Sequence, residues 1–293
     1  LDLEFDGMPI GKFALYELLL KHKKVNLDLH EAEWADYRIA LEGALLSVQA
    51  FRKILDSEKP ERVVIYSPQY SVNHGCARLA EDRGIPVYFT EGGTNISERL
   101  KTLRIWKWNT HHMINPSLSK WDRYRDLPLS ATHLKKVTNH FLALLEGVFY
   151  GVYSPTKQGA FDLRGRFEIP AGKKILLATM SSYDEAYAAN VIGHFPKDKT
   201  FSRVFPRQID WIKALIEFLK TRDDLFLIVR VHPRDFPNRR ESTLSEQARL
   251  LLEEFKELPP NVRVNWPTDQ ISLYDLIEET DVVLTGWSIT GVE

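Results

Sequence analysis

Two hydrophobic rhythms take turns along this chain: apolar residues at helical spacing, and short unbroken apolar runs. Glu31 to Asp56 places Ile39, Leu41, Leu45, Leu46, Val48 and Phe51 at intervals that predict one long helix. Arg62 to Tyr66 is a short apolar run closed by Ser67-Pro68, the pattern of a strand. Asn73 to Arg83 follows as a helix, with Gly84 where a left-handed residue ends it. Pro86 to Thr90 is the next strand, so 62–90 reads as a βαβ unit. Leu103 to Trp108 fits a strand, and Thr132 to Phe149 fits an amphipathic helix.

Ser154 to Lys174 contains Pro155, Gly159, Gly165, Pro170 and Gly172 without a sustained period, and is expected to be a linker. A second βα series starts beyond it. Strands are expected at Lys174–Thr179, Leu225–Val231, Val262–Trp266 and Asp281–Thr285. Helices are expected at Gln208–Thr221, from about Ser242 to Leu258, and at Ser272–Thr280. The predicted fold class is α/β, with two Rossmann-like domains, 1–160 and 161–293, facing each other across a cleft. The chain opens on Leu1 and stops at Glu293, where a helix would begin. It therefore reads as part of a longer protein with its C-terminal part truncated.

Composition narrows the classes. The 293 residues are 44% hydrophobic and 27% charged, enough for real cores. A net charge of −1 sets up no global field for nucleic acid, although Arg230, Arg234, Arg239 and Arg240 cluster locally. The single cysteine, Cys76, excludes an intramolecular disulfide framework and reads as a core thiol in a reducing compartment. No apolar run approaches the ~18 residues that span a bilayer. The expected location is cytoplasmic, with peripheral contact at the inner face of the membrane or with an assembly complex.

Candidate chemistry gathers where predicted strands end, because open α/β sheets bind ligands beyond the carboxyl ends of their strands. The run Leu225–Val231 feeds His232-Pro233-Arg234-Asp235. Pro233 ends the ladder and holds His232 extended, so the ring can donate to a phosphate with charge added by Arg230 or Arg234. Its other reading is a histidine packed beneath a corner. The last strand feeds Gly286-Trp287-Ser288-Ile289-Thr290-Gly291-Val292-Glu293, whose small residues and hydroxyls suit a phosphate as well as a helix cap. Glu293 either favours a helix dipole or accepts from ribose hydroxyls.

Ser181 and Ser182, after the first strand of the second series, are further donor-phosphate candidates. Glu91, on a Gly-rich loop, and Asp184, with Glu185 beside it, are candidate bases for deprotonating a hydroxyl. Each has a bland alternative as a local loop or helix-capping carboxylate. Asp6-Gly7, followed by Gly11, is either an acceptor-side loop or an ordinary turn. His111 and His112, adjacent on a predicted extended segment, point to opposite faces and find no third ligand, so no metal site is expected.

The segments "VRVHP" and "DVVLTGWSITGVE" together resemble the nucleotide-sugar domain of bacterial capsule and surface-polysaccharide glycosyltransferases with the HP motif, enzymes of the GT-B architecture. His232 and Pro233 match the HP pair, Ser288 and Thr290 the hydroxyl loop, and Glu293 the acidic residue before a helix. The likeness covers 174–293, and the first half only in rhythm. It implies transfer of a sugar, such as a CMP-linked acidic sugar, from a nucleotide-sugar donor to a capsule or lipopolysaccharide glycan or glycolipid. It implies no metal and no other cofactor, with His232 helping to meet the leaving-group charge. Alternatives are a CDP-glycerol-type polyol-phosphate transferase, a nucleotide-sugar epimerase and a non-catalytic assembly factor.

Overall fold

The structure, a computed structural model, describes residues 1–92, 103–107, 121–146, 155–157, 159–194, 204–286 and 288–291. It is a mixed α/β molecule whose described sheets are built on parallel strand pairs, one of them with an antiparallel third strand. The chain divides into two compact units: Leu1–Pro128 with Asp184–Phe201, and Leu129–Tyr183 with Ser202–Glu293.

In the first unit the short helices α1 (Ile10–Phe13) and α2 (Leu15–His22) precede the long α3 (Glu31–Glu58). At the start of α3 the His30 N–H donates to Glu33 Oε2 at 2.8 Å, and left-handed Lys59 ends the helix. Then come β1 (Val63–Tyr66), α4 (Ser71–Asp82), β2 (Val87–Glu91), β3 (Arg104–Lys107) and α5 (Trp121–Tyr124). Strands β1 and β2 are parallel neighbours, Val63 opposite Val87, and β3 runs antiparallel to β2.

The buried face of α3 takes in only part of its apolar stripe. Tyr37, Ala44, Val48 and Leu55 point inward, while Ile39 is 70% and Leu46 59% exposed. Close packing of α3 on α4 decides the phase: a Cβ on Gly75 would meet Val48 Cγ2 at 2.7 Å. The missing side chain of Gly75 is what lets Val48 of α3 seat so near the α4 backbone.

In the second unit the order is α6 (Ala131–Leu145), α7 (Leu163–Phe167), β4 (Lys174–Thr179), α8 (Tyr183–Val191, mostly in the first unit), α9 (Gln208–Leu219), β5 (Leu225–Arg230), α10 (Glu246–Glu254), β6 (Val262–Asn265), α11 (Leu273–Glu278) and β7 (Val282–Thr285). The sheet is wholly parallel in the order β6-β5-β4-β7. Every residue of β5 is buried, because both faces of the sheet are covered. One face packs Ala178, Leu227 and Val229 against Ile209, Ile212, Leu219 and Leu251. The other packs Ile175, Leu177, Phe226 and Ile228 against Leu163, Phe167 and Leu276.

The segment expected to be a linker therefore supplies core. Asp162 Oδ1 accepts the Gly165 N–H at 2.8 Å, starting α7 and turning Leu163 and Phe167, one helical turn apart, into the sheet. The glycines and prolines around it hid a one-and-a-half-turn helix.

Candidate functional site

Strand order locates the carboxyl edge that matters in the second unit. From β4 the sheet grows through β5 to β6 on one side and to β7 on the other. The strand order thus reverses between β4 and β7, which makes the ends of these two strands a topological switch point. Thr179, the last residue of β4, is flanked in register by Arg230 and Thr285, the last residues of β5 and β7. Ser181–Ser182, His232–Pro233 and Ser288–Thr290 therefore leave one edge of one sheet. The structure brings these seven positions, with Arg230, onto that edge.

A polar lattice beneath the edge holds the loops. The Gln208 side-chain amide pairs with the Ser181 backbone, accepting its N–H at 2.8 Å and donating to its C=O at 3.0 Å. Gln247 Nε2 adds a second donor to that carbonyl at 3.2 Å and reaches Asp235 Oδ2 at 3.0 Å. Ser245 Oγ donates to Asp235 Oδ1 at 2.8 Å and caps α10 by accepting the Ala248 N–H. Arg234, almost fully buried, donates from NH1 to Ser182 Oγ at 2.8 Å. One arginine thus ties the loop after β5 to the loop after β4.

Arg230 also turns inward. Its NH1 donates to Asn265 Oδ1 at 2.6 Å and to the Ile271 carbonyl at 3.0 Å. Burial lowers its pKa to about 10, against the pull of Asp269 and Asp275, so it stays cationic at neutral pH. It contributes a fixed positive charge below the edge, with these bonds made inside the protein.

His232 has extended backbone, φ −65° and ψ 130°, and starts the short 3₁₀ turn Pro233–Asp235. Its Nδ1 accepts the Arg234 N–H at 3.2 Å, so the neutral ring carries its proton on Nε2. That tautomer suits donation to an anion. In the loop after β7, Ser288 Oγ and Thr290 Oγ1 share a hydrogen bond at 2.9 Å, and Ser288 Oγ accepts the Thr290 N–H at 3.3 Å. Gly291 is needed for this fold-back, because a Cβ there would meet Thr285 Cγ2 at 2.4 Å. Thr285 Oγ1 lies buried just below without a hydrogen-bond partner.

The proposed bases belong to the first unit. Glu91 ends β2 opposite Arg104 of β3, half-buried. Asp184 is buried in the first turn of α8, so it and Glu185 belong to a helix start rather than to a longer loop. Asp6 and Gly7 both have positive φ in a tight turn between Phe5 and Met8, and the Asp6 carboxylate pairs with Arg52. Cys76 is half-buried, and burial pushes its thiol up to about 11. Glu293, Trp287, His111 and His112 lie outside the described residues. Among the described residues, no group of three His, Cys, Asp or Glu side chains could hold a metal ion.

The first unit has a second polar cluster that sequence reasoning passed over. Glu17 Oε1 accepts both the N–H and the Oγ–H of Ser71, at 2.7 and 2.9 Å, while Oε2 is buried without a hydrogen-bond partner. Burial raises the Glu17 pKa. His74 donates from Nδ1 to the Pro68 carbonyl at 3.0 Å and packs its ring on Phe13. Burial above all, with His194 nearby, lowers its pKa to about 3, so it is neutral. The signal was Ser71-Val72-Asn73-His74, polar residues three apart at a helix start, where they share a face.

Compared with family models, with curated proteins and with solved structures, the chain matches none.

Proposed function

We propose that the protein is a glycosyltransferase of the GT-B type, built of two Rossmann-like domains, whose second unit binds the nucleotide of an activated sugar. One observation carries the reading: the strand reversal beside β4 puts the Ser181–Ser182 loop and the Ser288–Thr290 loop at one switch point. Backbone N–H groups and hydroxyls are the groups that cradle a phosphate there. His232 Nε2–H and the buried Arg230 charge would meet the leaving group as its bond to the sugar breaks. Ser288, Thr290 and Glu293 would hold phosphate and ribose, as the resemblance implies. The acceptor glycan is assigned to the first unit, where Glu91 and Asp184 are the candidate bases.

The test is calorimetric titration of the protein with CMP, CDP and UDP, alone and with His232→Ala. One nucleotide should bind, and the substitution should weaken it roughly ten- to a hundredfold, the worth of a hydrogen bond to a charged group. Absence of binding by all three nucleotides would sink the transferase reading. Binding that is indifferent to His232→Ala would remove His232 from the site. Glu91→Gln and Asp184→Asn should leave nucleotide affinity unchanged.

A further inference from the structure

Helix α6 presents an anomaly of a different kind. Leu134, Val137, Phe141, Leu142 and Leu145 are 41–59% exposed, and Leu144 alone is buried on this helix. At 100° per residue these five side chains form one stripe, which a folded protein ordinarily turns inward. Preceding it in the chain, Leu129 is exposed as well. The opposite face carries His133, Lys135, Lys136, Asn139 and His140, and there is no carboxylate anywhere from Ala131 to Leu145. Apolar residues on one face and only basic or neutral groups on the other complement an anionic interface, not an acidic-and-basic protein surface.

Length sets the orientation. A helix of 15 residues is about 22 Å long, short of the ~30 Å hydrocarbon layer. Among the described residues no helix is long and apolar enough to cross a membrane. The stripe can therefore be covered by lipid only if the helix lies in the plane of the surface. Its ends are held for that: Ser130 Oγ accepts the His133 N–H, and Lys157 Nζ donates to the Leu145 carbonyl.

We propose that α6 docks the protein onto a bilayer bearing anionic headgroups, with Leu134, Val137, Phe141 and Leu145 inserted and Lys135 and Lys136 at the headgroups. This stands independently of what the second unit binds. The experiment is flotation of the full chain with vesicles of phosphatidylglycerol and phosphatidylcholine, and with vesicles of phosphatidylcholine alone. The wild-type protein should float with the anionic vesicles only and release at high salt. Leu134→Gln/Phe141→Gln, at exposed sites that the fold does not need, should lower the bound fraction at least tenfold. Lys135→Glu/Lys136→Glu should remove the preference for anionic lipid.

Circular dichroism of each variant must match the wild type, and charge-neutral Lys135→Gln/Lys136→Gln serves as the milder second variant. Failure to float with either vesicle overturns the proposal, as does flotation unaffected by Leu134→Gln/Phe141→Gln. A dimer in light scattering that Phe141→Gln dissociates, with no flotation, would show that a second copy covers the stripe instead.

Discussion

The two described sheets each hold apolar strands at their parallel pairs, yet they are buried differently. In β5 all six residues are buried, between helices on both faces. In β1 burial alternates: Val63 is buried while Val64 and Tyr66, on the other face, are more than half exposed. Ile105 of β3, in register with Thr90 beside Tyr66, continues that exposed face among the described residues. The difference teaches that a continuous apolar run such as Val63-Val64-Ile65-Tyr66 does not by itself report two covered faces. What covers a sheet is decided by where the connecting helices cross.

The largest expected effect separates the two units by pH. His74 keeps its ring neutral because its folded pKa lies far below the ordinary 6.5. Between pH 6.5 and about 3 the unfolded chain binds a proton that the folded first unit refuses. The stabilisation is present above 6.5 and is lost as pH falls, at up to about 1.4 kcal/mol per pH unit. Hydrogen exchange at falling pH should show the first unit opening before the second. A His74 ring proton titrating near 6.5 by NMR, assigned with His74→Gln, would contradict this.

The core comparison comes next. Leu227→Ala, in the doubly covered sheet, should cost about 3 kcal/mol. Val64→Ala, on the open face, should cost within about 0.5 kcal/mol. Urea unfolding of both variants measures the contrast, and equal losses would mean that the open face is covered in solution. Asn265→Ala, which strips the buried Arg230 of a short hydrogen bond, should cost about 2 kcal/mol.

The smallest effect has the less intuitive sign. Glu17 is raised above its ordinary value, chiefly by burial, so ionising it works against the fold as pH climbs past 4.5. Glu17→Gln keeps an acceptor for both Ser71 donors and removes the charge. It should leave stability at pH 7 unchanged or raise it by up to about 1 kcal/mol. A clear loss of Tm would show that the carboxylate itself is required.

Legibility in the sequence followed the range of the cause. Strands whose neighbours are all apolar, such as Leu225–Arg230, and helices with strong caps were placed within a few residues, because local chemistry makes them. The inward phase of α3 was legible only in part: Val48 is buried as its spacing suggests, but its seat against Gly75, in another helix, is not written in the α3 sequence. Leu163 and Phe167 were masked by flanking glycines and prolines, though Asp162 announced the helix start. In the candidate site, His232, Ser181, Ser288 and Thr290 were readable as polar residues at strand ends. The Arg234–Ser182 tie and the Gln208 amide clamp on Ser181 were not, because each joins residues brought near only by the sheet.

The place of β7 has a consequence during synthesis. This strand pairs with β4, whose residues precede it by more than a hundred positions, and Asp281 seals the start of the pairing by bonding the backbone of Ile175. Until residues 281–285 leave the ribosome, the side of β4 away from β5 is an unpaired parallel edge. A nascent chain stalled before Asp281 would present that edge to its neighbours, and chaperone demand should peak there and fall once β7 docks.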